Sequence, residues 1–172
     1  ASKPVLISNT PNPDDVIIKS SIMYHFQCSE QEAKQIMEES EKIDPEYKAK
    51  SMNIILHKEE RRELEQVSFT FQIPISLSIL THLTRHRMHS LLIPEFTPLW
   101  DFNNFIIPAT IQAKSELKNI FINAQKENMK IFEEFKNSNV SDEDLIYFYL
   151  GCQMLNVVTT MNGRTLQWIL HL

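Results

Sequence analysis

Glycine is nearly missing from this chain. Of 172 residues only Gly151 and Gly163 are glycine, where ordinary usage of roughly 7% would give about a dozen. That excludes the glycine-rich phosphate cradles, because neither a Walker A loop nor a dinucleotide fingerprint can be built without closely spaced glycines. A nucleotide bound here must be held by side chains and helix ends. Cysteine is scarce too. Cys28 and Cys152 make no disulfide framework and fit no zinc spacing, so both are read as reduced thiols. Positive charge is also short. Seventeen Lys+Arg against 22 Asp+Glu give a formal net charge of -5, the reverse of what gripping a long nucleic acid requires. No apolar run approaches the roughly 18 residues of a membrane span, and the N-terminus shows no secretory pattern. The expectation is a cytoplasmic protein without nucleic-acid or membrane partners.

What is present is an ordinary globular mixture, 42% apolar and 23% charged, enough for one domain over residues 1–172. Val5-Leu6-Ile7 reads as a strand closed by Asn9-Thr10-Pro11-Asn12-Pro13. Asp14 or Asp15 caps a helix to about Phe26, Ser29-Glu30-Gln31-Glu32 forms a capping box, and Asp44-Pro45 starts a third helix reaching His57. Apolar residues at every second position in Ser68–Ile73 mark a half-buried strand that Pro74 should end. Helical spacing then runs from Leu77 to about Ser90. The stretch 91–109, punctuated by Pro94, Pro98 and Pro108, holds too many aromatics to be fully solvated. Gln112–Lys136 is a long amphipathic helix expected to bury Leu117, Ile120, Phe121 and Phe132. Ser141 opens another helix carrying Leu145, Phe148 and Cys152 on one face. Val157–Thr160 is a short strand, and Asn162 caps a final helix. The class is α+β, a central antiparallel or mixed sheet with packed helices.

The densest polar cluster on an apolar background is Thr81–Ser90. His82, His86 and His89 share a face of the expected helix at i, i+4 and i+7, a spacing that can grip a metal ion. The glutamate of a His-Glu-x-x-His motif is absent, and no metal is expected. Arg85-His86-Arg87 carries more. Two guanidiniums flank an imidazole after a Leu/Ile-rich segment, and such forks suit phosphate or a heteroaromatic carbonyl edge.

Val67-Ser68-Phe69-Thr70-Phe71 followed by Arg85-His86-Arg87-Met88-His89-Ser90 resembles the flavin-dependent thymidylate synthases, whose pattern is EHvxFTF and then RHRxxSxNxxSxRY. Thr160-Met161-Asn162-Gly163-Arg164-Thr165-Leu166 resembles the family's TMNARxL block, and Glu143-Asp144 stands at the spacing the family uses before it. The likeness covers roughly Glu65 to Leu172 and is weaker toward the N-terminus. It implies a fold of that family and a tetramer binding FAD at subunit contacts. It also implies reductive methylation of dUMP to dTMP, with methylenetetrahydrofolate and NADPH as co-substrates. Nucleotide and folate small molecules would be the partners. By position, Arg85, His86, Arg87, Asn162 and Arg164 would bind the flavin, and Ser90 would support the substrate side. No protein nucleophile is implied.

The pattern fails where substrate should sit. Its asparagine falls on Leu92, its second serine on Glu95 and its arginine on Thr97. Gln66 replaces a histidine beside the retained Glu65. A phosphate-binding arginine falls on Ile146 and a nearby proline on Leu150. The family's domain would continue past Leu172 with an arginine and a further helix. Three readings stay open: a divergent thymidylate synthase of this type, an FAD enzyme of the same fold with a different acceptor, and a non-catalytic paralogue partnering an active subunit.

Overall fold

The computed structural model of the chain describes residues 3–171. Its elements run β1 (Val5–Asn9), α1 (Pro13–Phe26), α2 (Glu30–Ile43), α3 (Tyr47–His57), a 3-10 segment (Arg62–Gln66), β2 (Ser68–Ser76) and α4 (Leu77–Leu83). They continue with β3 (His89–Leu92), α5 (Ala109–Gln112), α6 (Ser115–Lys136), α7 (Asp142–Leu145), a 3-10 turn (Ile146–Phe148), β4 (Met154–Asn162) and α8 (Gly163–Leu170). The strands form one sheet in the order β1-β2-β4-β3, with β1 antiparallel to β2. Helices pack around it in the expected α+β class. The residues gather into two units: Ile73–Arg87 with Leu91–Val158, and Val5–Gln72 with Met88–Ser90 and residues 159–171. Chain continuity carries β2 and β4 from one unit into the other.

The unit containing α1–α3 is built on Ile17, Ile18, Ile22, Ala33, Met37 and Ile55, joined by Leu64 from the 3-10 segment and Val67 directly after it. Burying each large aliphatic side chain contributes about 1.5–3 kcal/mol. Ser29 closes the expected capping box: its Oγ accepts from the Glu32 N–H, and Glu32 Oε2 accepts from the Ser29 N–H at 2.8 Å. α1 starts one position before the two aspartates, with Pro13 at its first position and Asn12 as its left-handed N-cap. Positive φ is confined to Asn12, Gln27, Arg61 and Asn139 among the described residues, and neither glycine has it. At two of those corners the side chain reaches back three residues, Gln27 Nε2 to the Tyr24 carbonyl at 2.6 Å and Arg61 Nε to the Lys58 carbonyl at 2.8 Å.

The other unit has two cores. Ile75, Leu80, Leu155 and Val157 form one, and Phe102, Phe132, Leu145 and Tyr149 the other. The aromatic stretch after β3 supplies Phe102, whose ring lies 4.4 Å from Phe132 and 4.7 Å from Tyr149. Tyr149 Oη reaches the Thr97 carbonyl at 2.9 Å and the Trp100 carbonyl at 3.1 Å.

Several boundaries correct the sequence reading. β2 runs through Pro74 to Ser76, because its β1 partner ends at the Val5–Gln72 pair and no donor is demanded of the proline there. The long helix breaks at Ala113-Lys114, where Lys114 is extended. Phe132 is buried in α6, but Leu117 and Ile120 are 42% and 59% exposed. Cys152 lies in the turn before β4 and not on α7, which ends at Leu145. β4 is longer than expected, and its Leu155, Val157, Thr159 and Met161 are buried at every second position. No helix among the described residues is long and apolar enough to cross a membrane.

Candidate functional site

Arg85, His86 and Arg87 lie in a turn, not in a helix. Ser76 caps α4 by accepting from the Ile79 N–H. The helix then stops at Leu83, six residues short of the histidine it was expected to include. Thr81 Oγ1 donates to the Ser78 carbonyl at 2.7 Å and Thr84 Oγ1 to the Thr81 carbonyl at 3.1 Å. Such back-bonding competes with helix continuation. The Arg85 and His86 N–H groups turn to the carbonyls of His82 and Leu83, three residues back, both at 3.1 Å. His89 therefore begins β3, and the shared face expected for His82, His86 and His89 does not form. Among the described residues no three His, Cys, Asp or Glu side chains gather to hold a metal. Arg85 and Arg87 are exposed and His86 half-buried. Neither guanidinium has an ion-pair partner among the described residues.

Asn162, Arg164 and Ser90 belong to the other unit. Asn162 is the N-cap of α8 as expected, its Oδ1 accepting from the Thr165 N–H at 2.9 Å. Gly163 follows, donating to the Val67 carbonyl at 3.1 Å. A Cβ there would stand 2.8 Å from the Leu64 carbonyl oxygen, so close approach, not backbone freedom, calls for glycine. Arg164 Nη1 meets Glu65 Oε1 at 2.5 Å. Ser90 is exposed, and its carbonyl accepts from the buried Thr159 hydroxyl at 2.9 Å. With its one hydrogen so used, Thr159 Oγ1 accepts from His89 Nδ1 at 2.8 Å, which assigns the proton to that nitrogen. The Met88 carbonyl accepts from Thr165 Oγ1 at 3.4 Å.

This same unit holds a cavity of about 730 Å³, lined among others by Tyr24, His25, Lys58, Arg61, Glu63 and Gln66. The sequence reading missed it because α1 and residues 58–66 meet only in three dimensions. Gln66, at the family's histidine position, is part of its wall. Burial alone would raise the Glu63 carboxyl. The hydrogen bond from Lys58, a backbone N–H and the charges of Lys58 and His25 outweigh it and hold that group below its ordinary value. The first unit has its own cavity of about 1000 Å³, mostly apolar, with Ser76, Ile79, Phe105, Phe121 and Cys152 in its wall. Burial pushes the Cys152 thiol up, against a backbone N–H and the Gln125 amide that favour the thiolate. Neither cavity is lined by Arg85, His86, Arg87, Asn162 or Arg164.

None of the residues at the replaced positions Leu92, Glu95, Thr97 and Ile146 is a cation. Leu92 is 71% exposed and Glu95 is exposed. Thr97 Oγ1 accepts locally from the Leu99 N–H at 3.1 Å. Ile146 is half-buried, its carbonyl accepting from the Tyr149 N–H.

Residues 5–172 match the family described as thymidylate synthase complementing protein. A flavin-dependent thymidylate synthase of Clostridium tetani (strain Massachusetts / E88) is 29% identical over 181 residues, covering 94% of this chain and 70% of the relative. Among solved structures, thymidylate synthase X (ThyX) of Helicobacter pylori with FAD and dUMP superposes with TM-score 0.65 at 17% identity, over 98% of this chain and 81% of that one. The UMP/dUMP methylase PolB of Streptomyces cacaoi, bound with 5-Br dUMP, gives TM-score 0.66 at 14% identity, over 95% and 74% of the two chains. With nearly its whole length matched to the family pattern, the chain belongs to the flavin-dependent thymidylate synthase family.

Proposed function

We propose that this protein is a cytoplasmic, homotetrameric FAD enzyme that methylates a uridine nucleotide at C5, with dUMP as the first acceptor to test. Methylenetetrahydrofolate would supply the carbon and NADPH the electrons. One observation carries the reading: Arg85 and Arg87 project into solvent with no ion-pair partner among the described residues, in a chain matched to the family over residues 5–172. Two exposed guanidiniums flanking an imidazole form a donor set that fits an anionic flavin dinucleotide. A chain with two glycines has no loop to do that work instead. Bound FAD would supply hydride chemistry that no side chain here can. Arg85, His86 and Arg87 would bind its anionic groups, Asn162 and Arg164 would complete its site, and Ser90 would support the nucleotide side. That the Helicobacter pylori relative was solved with FAD and dUMP supports the assignment.

A different acceptor is the second reading, favoured by Thr97 and Ile146 at positions where the family pattern has arginines. Each lost charge-assisted bond weakens phosphate binding by about 1.5–3 kcal/mol. Two such losses amount to roughly two to four decades. The test is an FAD titration followed by flavin fluorescence, and then a thermal shift with dUMP or UMP. Arg87→Ala should weaken FAD roughly 10- to 150-fold, the worth of one charge-assisted bond. An unchanged titration in that variant removes the flavin assignment. FAD binding without any dUMP-induced rise in Tm selects the different-acceptor reading.

A further inference from the structure

Resting on the assignment of Arg164 to the flavin site, we propose that Glu65 is the positioning residue of that arginine. Arg164 is the second residue of α8, where the partial positive charge of the helix end disfavours a guanidinium. The first turn of α8 contains no acid of its own. The compensating charge comes from Glu65 on the 3-10 segment, with Arg164 Nη1 and Glu65 Oε1 at 2.5 Å and the two side chains 44% and 33% exposed.

The carboxylate is delivered by a fixed support. Leu64 and Val67, on either side of Glu65-Gln66, are 3% and 2% exposed and belong to the core of that unit. The Leu64 N–H donates to the Arg61 carbonyl, and the Gly163 N–H to the Val67 carbonyl, both at 3.1 Å. Glycine at 163 lets the Leu64 carbonyl come within a distance that a Cβ would contest. A guanidinium has five N–H donors. Glu65 engages one terminal nitrogen and leaves the others of the fork to a ligand. An exposed pair contributes little to stability, so what Glu65 supplies is orientation. An arginine already ordered forfeits less freedom when the flavin binds.

The test has two readouts. In the flavin-free protein, the Arg164 Nε–Hε resonance, identified by its loss in Arg164→Lys, should be ordered, and Glu65→Ala should make it mobile. An Arg164 equally ordered in Glu65→Ala overturns the proposal whatever FAD does. In an FAD titration, Glu65→Ala should raise the Kd roughly two- to twelvefold, the range set by ordering one long side chain. The Glu65→Ala/Arg164→Ala double variant should then bind no more weakly than Arg164→Ala. Unchanged or tighter FAD binding in Glu65→Ala, or losses that add in the double variant, would overturn it. A wild-type protein that takes up no FAD, yet loses Arg164 order in Glu65→Ala, upholds the pairing and removes the flavin reading.

Discussion

Gly163 and Gly151 have ordinary φ values, so replacing each by alanine tests packing without backbone strain. At Gly163 a new Cβ would lie 2.8 Å from the Leu64 carbonyl oxygen and 3.1 Å from Val67 Cγ2. Leu64 and Val67 are both in the core, so neither yields cheaply. Overpacking of this kind costs about 1–3 kcal/mol. Alanine returns up to about 1 kcal/mol through better helix propensity, which leaves a net loss of about 0–3 kcal/mol, centred near 1.5 kcal/mol. For a chain of this size that central value corresponds to a fall in Tm of about 3–6 °C. At Gly151 the close contact is Ser78 Oγ at 2.5 Å, the end of an exposed side chain that can rotate away, and Gly151→Ala should stay within about 0.5 kcal/mol of wild type. The assay is thermal unfolding of the two variants at one protein concentration, since assembly would otherwise shift the midpoints. Equal melting temperatures for the two variants, or a gain in Gly163→Ala, would refute the argument from close approach.

Asn162→Ala removes the acceptor for the Thr165 N–H and should lower stability by about 1 kcal/mol, whereas Asn162→Asp keeps it; urea midpoints decide, and equal values for all three proteins would discard the cap. Glu63 has a carboxyl held below its ordinary value of 4.5. Its contribution is therefore present above that pH and lost as pH falls through the folded value. Glu63→Gln should flatten the acid limb of the Tm profile below pH 4.5, and limbs of equal slope in the two proteins would contradict the Lys58 pairing.

Local chemistry was legible in the sequence, and long-range packing was not. The Ser29 capping box and the Asn162 cap were readable because donor and acceptor lie three residues apart. The end of α4 was misread because helical spacing was followed from Leu83 to Arg87, which is not apolar, while Thr81 and Thr84 turn their hydroxyls onto the backbone. β2 passes Pro74 because of where β1 stops, which no local rule contains. In α6 the periodicity was sound, but exposure separates Phe132 from Leu117 and Ile120, and what faces a helix is not written on it. The Arg85-His86-Arg87 and Asn162–Arg164 clusters were found from short motifs. The Glu65–Arg164 pair, 99 positions apart, and the cavity wall shared by α1 and residues 58–66 needed coordinates.

The left-handed corners at Gln27 and Arg61 bear on the denatured chain as much as on the native one. Glycine at either would relieve about 1–2 kcal/mol of steric cost. It would also forfeit the clasp onto the carbonyl three residues back, about 1 kcal/mol, and widen the disordered ensemble by about 0.4–1 kcal/mol. These contributions nearly cancel. A polypeptide that turns its corners this way gives up less entropy on folding, and at these two places doing without the smallest residue is thermodynamically close to neutral.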